Sequence, residues 1–429
     1  MKLPHYAVLF ATLITPLSAS AANWGVVIGK LSYYNELSNY CPSTRACTGA
    51  RYTESQFQTY QPMANTTVYI TDPNSQAQWG VGQTDDSGNF EISWWNNYPQ
   101  GQPSYATLQW KGAHANNRFY IRDGAGASLD WRAGFIHQHG TTIWDPQDLG
   151  EIGIGSNGSE DPLAHVYAGA ERTWRDSFQY SNRLAQNYGS TQVRAFNTIC
   201  STSCAVSATL IHLDTDPRTP FAFSGRIAHE LGHTASHRLS REGNSNACGN
   251  YSYGSASNGW WSLWTPEWTC AGYEEAFATW IGDVARYWYD SDPDICGAFI
   301  GPCPTMAEPS LGAPGGGGCS DCSGCSGGNC PPANQTDCDG RHVGNMVKFL
   351  WDLYDTNEDS ETLSEPYNRI CDNNFNWMVG TGNGLRDEPF GSPNDWDGKA
   401  ARDYSTLYVI NYGVSPLPAY NNNCAAPGD

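Results

Sequence analysis

Basic side chains are scarce in this 429-residue sequence: 23 Lys and Arg stand against 43 Asp and Glu, a formal net charge of −20. So acidic a chain repels phosphate, which argues against a nucleic-acid partner and against anionic membrane surfaces. Long apolar runs are missing as well. The run Ala7–Ile14 is too short to span as a membrane helix, and no other segment approaches the length required. Its setting gives it another meaning. Lys2 supplies a positive start, Ala7–Ile14 an apolar middle and Ala19-Ser20-Ala21 a small-residue cleavage site, so residues 1–21 read as a signal peptide. The mature chain is expected to be secreted (extracellular or periplasmic), with no membrane span, and loss of Lys2 takes its charge from −20 to −21. Nothing in the sequence sets an oligomeric state.

Cysteine, by contrast, is plentiful: 15 residues, none of them in the signal segment. In an oxidising compartment these are expected mainly as disulfides. Cys41 with Cys47, Cys200 with Cys204, and Cys248 with Cys270 are candidate local pairs, and the odd count leaves at least one thiol free or paired between molecules. Residues 312–339 hold Cys319, Cys322 and Cys325 in CxxCxxC spacing. Gly and Ser dominate there and no helix or strand frames the cysteines, so a disulfide-tied surface insertion is expected rather than a metal cluster.

From residue 22 to about 156 the pattern is short strands and turns. Val26–Tyr33, Thr66–Asp72, Ala106–Trp110 and Arg118–Arg122 read as strands, and Asp86-Ser87-Gly88 as a tight turn feeding another that ends near Trp94. This stretch resembles the transthyretin-like or carboxypeptidase-regulatory-like β-sandwich, in which such a turn recurs. The resemblance implies an all-β N-terminal domain over 22–156, serving as a folding partner or as a surface for glycan binding. His137 and His139 are alternating neighbours there, expected as solvated polar positions rather than a second metal site.

The polar stretch Ser156–Asp161 marks a boundary, with Asp161 a candidate N-cap for an amphipathic helix over 162–184. Thr191–Asn197 and Ala205–Asp214 read as strands. Then comes Arg226–Arg238, containing His229-Glu230-Leu231-Gly232-His233, an HExxH pattern. Residues four apart on a helix lie on one face. Two imidazoles at that spacing can therefore hold one Zn²⁺, each at about 2.0–2.1 Å. Glu230, roughly 100° round the helix, can take a proton from water at the metal. Ile227, Ala228, Leu231 and Ala235 give the helix its buried face. His237 would stand about 12 Å along the axis from His229, too far to share the ion. The extended motif with Gly at 236 and His at 239 is absent: the chain has Ser236 and Leu239.

A catalytic zinc takes three protein ligands and an open position. In 272–283, Phe277, Trp280 and Ile281 continue with Val284 and Trp288 as a helical core stripe, and Glu274 and Glu275 stand side by side near its start. Periodicity does not choose between them, and both suit a helix's first turn. Here the chain resembles the gluzincins, the thermolysin and aminopeptidase-type group, whose third ligand is a Glu on a second helix in Asn-Glu-Gly-Phe-Ala or Asn-Glu-Ala; the corresponding run is Glu274-Glu275-Ala276-Phe277-Ala278. The resemblance implies zinc held by His229, His233 and Glu275, with Glu230 as general base, in an α+β zincin-like catalytic domain over 157–429. The Asp that thermolysin-like enzymes carry four residues after the ligand is Thr279 here, with Asp283 one turn on as a substitute.

Residues 340–355 read as a further helix. His342 near its start is a candidate for oxyanion binding, alongside Tyr354, Tyr287 and Tyr289. The aromatic run Gly259–Trp268 is expected to pack a loop. Asp355–Asp359 offers alternating oxygens for a structural Ca²⁺, or a solvated acidic loop, and lacks the Gly and terminal Glu of an EF-hand. The expected protein is multidomain: an all-β sandwich followed by a secreted zinc metallopeptidase acting on protein or peptide substrates. A zinc hydrolase of another amide, in cell-wall peptide or a glycan, and a non-catalytic secreted binding protein are the alternatives.

Overall fold

In the computed structural model, the residues described are 23–35, 59–96, 104–137, 146–154, 162–195, 199–200, 203–213, 224–239, 269–286, 343–355, 364–379, 404 and 408–413. The expected signal segment, Cys41 with Cys47, Asp161, His139, Cys248, Gly259–Trp268, Tyr287, Tyr289, the insertion at 312–339, His342 and 356–359 lie outside them.

Twelve strands form one hydrogen-bonded network, a large mixed sheet with helices packed on it. β1 (Asn23–Asn35) pairs antiparallel with β2 (Thr59–Pro62) and β5 (Asn89–Asn96), and parallel with β9 (Gln147–Ile154). β3 (Thr66–Thr71), β4 (Gln78–Gln83), β6 (Ser104–His114) and β8 (Asp130–His137) extend it antiparallel. Alternation explains the inner face: Val68, Ile70, Ile92, Trp94, Leu108 and Trp110 are buried. The turn into β5 follows the expected chemistry. Gly88 has φ 80°, and a Cβ there would lie 2.4 Å from the Leu31 carbonyl oxygen. The carboxylate closing the turn is that of Asp85, which accepts from the Ser87 and Asn89 amides at 2.9 and 2.8 Å. Asp86 instead accepts from the Asn65 side chain.

β7 (Phe119–Arg122) meets β6 at the single pair Ala113 and Tyr120, and beyond it the sheet becomes parallel. β10 (Thr191–Arg194) pairs with β7 and with β12 (Leu210–His212), while β11 (Cys204–Ser207) closes the order antiparallel. The single strand expected over 205–214 is thus a hairpin, β11 and β12. The Ser207 hydroxyl accepts from the Thr209 amide at 3.2 Å, a local bond that competes with continued extension. Cys200 and Cys204 form the expected disulfide.

Six helices have described bounds, and residues 404 and 408–412 are helical as well. α1 (Pro162–Asp176) ends before a short 3₁₀ turn, and the Ser181 hydroxyl caps α2 (Asn182–Asn187) by accepting from the Leu184 amide. α3 (Ser224–Leu239) carries the HExxH pattern, α4 (Thr269–Arg286) the paired glutamates, and α5 (Val343–Asp355) the expected third stripe. α6 (Ser364–Val379) was not legible in advance. α1 packs on β6, β7, α3 and α4; α4 packs on α3 and α5. One apolar cluster runs from Val27 and Trp94 in the sheet through Tyr167 on α1 to Phe277 and Trp280 on α4. Among the described residues no helix is long and apolar enough to cross a membrane.

Candidate metal centre

α3 is buried from Ile227 to His237, not only along its apolar stripe. A helix enclosed all round must find partners for every polar side chain it carries. Thr234 donates to the Leu231 carbonyl at 2.7 Å and pairs with the Tyr188 hydroxyl at 2.8 Å. Glu230, 2 % exposed, stands 3.7 Å from the Arg226 guanidinium one turn earlier. His229 and His233 face α4.

The approach of the two helices is set by small residues. A Cβ at Gly232 would lie 2.9 Å from Ala278 Cα and 3.2 Å from its carbonyl oxygen, so only glycine allows this spacing. At that separation Glu275 Oε2 comes 3.2 Å from His229 Nε2 and 3.4 Å from His233 Nε2, while the two nitrogens are 3.1 Å apart. All three residues are buried. Among the described residues, they are the one group of His, Cys, Asp or Glu able to hold a metal ion, with ligand atoms within 4.8 Å of one another.

These distances fit a cation. Four ligands placed tetrahedrally about 2.0–2.1 Å from an ion are separated by about 3.3–3.4 Å, close to the three edges seen here. Glu275 Oε2 makes no hydrogen bond, although both imidazoles lie within 3.4 Å. An oxygen and two nitrogens aimed at one another at these separations converge on a shared point, as donor atoms around an ion do.

Electrostatics agree. Burial pushes the His233 imidazole down, but the Glu275 carboxylate overrides it and raises the group to about 9. Burial also lowers His229, against the pull of Glu275. Burial would raise Glu275, yet His233 and His229 hold it well below the usual carboxylate range. The directions of these shifts show that the cluster favours positive charge among its donor atoms.

His229 is fixed from its other side too. Thr279 Oγ1 lies 3.2 Å from His229 Nδ1. The position that departs from the thermolysin-like Asp thus contacts the first histidine itself, and Asp283 is buried one turn beyond. Glu274, 2 % exposed, stays outside the cluster. His237 also stays outside, its ring 6.5 Å from that of His233. Burial first, and then His233, lower His237 to about 4. Tyr354 is buried edge-on to Trp280 at 5.9 Å. The contacts of Arg226 and Thr279 were missed in the sequence reading. The i,i+4 spacing of Arg226 to Glu230 and of Glu275 to Thr279 was the available signal.

No family model matches the chain, and no curated protein matches it. Among solved structures, a 9R-lipoxygenase from Cyanothece PCC8801 is matched at 13 % identity with a TM-score of 0.17. The match covers 36 % of this chain and 24 % of that one, so the chain spans about a quarter of its length. A likeness so slight carries no argument about fold or chemistry.

Proposed function

We propose that the chain is a secreted zinc-dependent hydrolase of peptide bonds, with an N-terminal β-sandwich over 22–156 and a zincin-like catalytic domain over 157–429. The observation that carries this reading is the convergence of His229, His233 and Glu275 on one point, with Glu230 beside the first histidine on the same helix. His229, His233 and Glu275 would hold the ion, leaving a fourth position open. When bound, zinc supplies Lewis acidity that polarises a carbonyl and makes water more acidic.

The remaining work falls to the chain's own groups. Glu230 accepts a proton from the attacking water and passes it to the leaving amine. Arg226, one turn before it, holds the carboxylate in place between turnovers. The buried walls of α3 and α4 keep bulk water from the donor atoms, which strengthens every charge interaction there.

The test is Glu230→Gln. The variant should retain its metal and lose peptide hydrolysis by about 10²–10⁴-fold, the range for removal of a general base. Full activity in that variant would overturn the reading. Iron instead of zinc in the purified protein would also overturn it, since two histidines and one carboxylate with open positions equally suit a non-haem iron site.

A further inference from the structure

α4 grips His229 at both ring nitrogens. Glu275 and Thr279 lie one turn apart on that helix, and both turn toward α3. Glu275 Oε2 stands 3.2 Å from Nε2, and Thr279 Oγ1 stands 3.2 Å from Nδ1. Both α4 residues and His229 are buried, so water does not compete for either contact. A flip of the ring would put Cδ2 and Cε1 where Nδ1 and Nε2 stand, so the ring cannot turn over without losing both contacts.

We infer that Thr279 is a positioning residue that holds His229 in its metal-ligating tautomer. With Nδ1–H donating to Thr279 Oγ1, Nε2 is left with its lone pair toward Glu275 and His233, the orientation a ligand needs. A threonine hydroxyl does this without charge. Of the three ligating side chains only Glu275 is a carboxylate, Glu230 and Glu274 stand close by, and Thr279 adds no further negative charge to the group.

This inference rests on the metal-site reading, and the experiment separates their failures. Zinc affinity is measured by competition with a chromophoric chelator for the full chain, Thr279→Val and Thr279→Ser. The protonated nitrogen of His229 is read by ¹⁵N NMR in the metal-free and zinc-loaded proteins. Valine keeps the shape and removes the acceptor, and should weaken zinc binding by about 10–100-fold, the usual cost of losing an outer partner of a ligating histidine. Serine restores the acceptor and should return affinity to within about threefold of the parent. The spectra should show Nδ1 protonated in the parent and in Thr279→Ser, and a mixture of tautomers in metal-free Thr279→Val. A role in packing alone would not move the tautomer, because valine fills the same space. Unchanged affinity and tautomer in Thr279→Val would overturn this inference while leaving the metal site standing. A parent protein that binds no zinc would overturn both.

Discussion

Glu274 and Glu275 are adjacent, chemically identical and equally enclosed, at 2 % and 4 % exposed. Successive side chains on a helix point roughly 100° apart, so only one of them can reach the histidine pair. Glu275 does, at 3.2 and 3.4 Å. Glu275→Ala should therefore abolish stoichiometric metal uptake, while Glu274→Ala should retain it, as measured by plasma emission on the purified proteins. Metal kept by Glu275→Ala and lost by Glu274→Ala would reverse the assignment. The choice was invisible to periodicity, because either glutamate suits an amphipathic helix; the expected first-turn placement does not hold, since α4 begins at Thr269 and both glutamates stand beyond its first turn. In the sequence only the resemblance to the gluzincin motif separates the two.

At the scale of elements, the site exists because α3 and α4 touch closely enough for side chains of limited reach to meet. Gly232 sits at that contact, between the two histidines of the motif. A methyl group there would stand 2.9 Å from Ala278 Cα, which is backbone and cannot swing aside. Gly232→Ala should push α4 outward, lower stability by about 1–3 kcal/mol, as overpacking does, and loosen Glu275 from the histidines. Urea unfolding together with chelator competition would check both effects; undiminished zinc affinity would show that the helices have slack. Sequence patterning located α3, α4 and α5 because apolar residues recur along them. It missed α6, whose run Asp372-Asn373-Asn374 reads as a helix breaker. Tertiary partners rescue it: Asn373 donates to the Tyr404 carbonyl at 3.1 Å, and the Tyr404 hydroxyl donates to the Ile370 carbonyl at 3.0 Å.

Across the whole molecule, the join between sheet and helices is buried and contains a histidine that resists protonation. His114, at the end of β6, is packed against Phe119 and Trp174. Burial first, and the nearby Arg118 guanidinium second, lower it to about 4. The unfolded chain takes up this proton near pH 6.5, whereas the native protein does so only near 4. Between those values the unfolded state binds more protons, so stability falls as pH falls from 6.5 to 4. The full difference is of order 3 kcal/mol, at 1.36 kcal/mol per unit. His212 on β12 is shifted in the same direction by burial and Arg194. Denaturant unfolding at pH 7 and pH 4.5 should show a smaller acid loss in His114→Gln than in the parent. Equal losses would place the acid sensitivity elsewhere.

The sequence by itself determined what is local and periodic. Alternation set the strands that include Val68, Ile70 and Leu108, the four-residue spacing put His229 and His233 on one helix face, and the short separation of Cys200 from Cys204 made their bond foreseeable. Only the tertiary structure decided what joins distant segments. It chose Glu275 over Glu274, set Thr279 against His229, and paired β7 with β10 so that the network of strands continues past Ser156. The physical reason is that helix and strand periods fix directions within an element, while the distance between elements depends on side-chain volume at the contact, here the missing Cβ of Gly232.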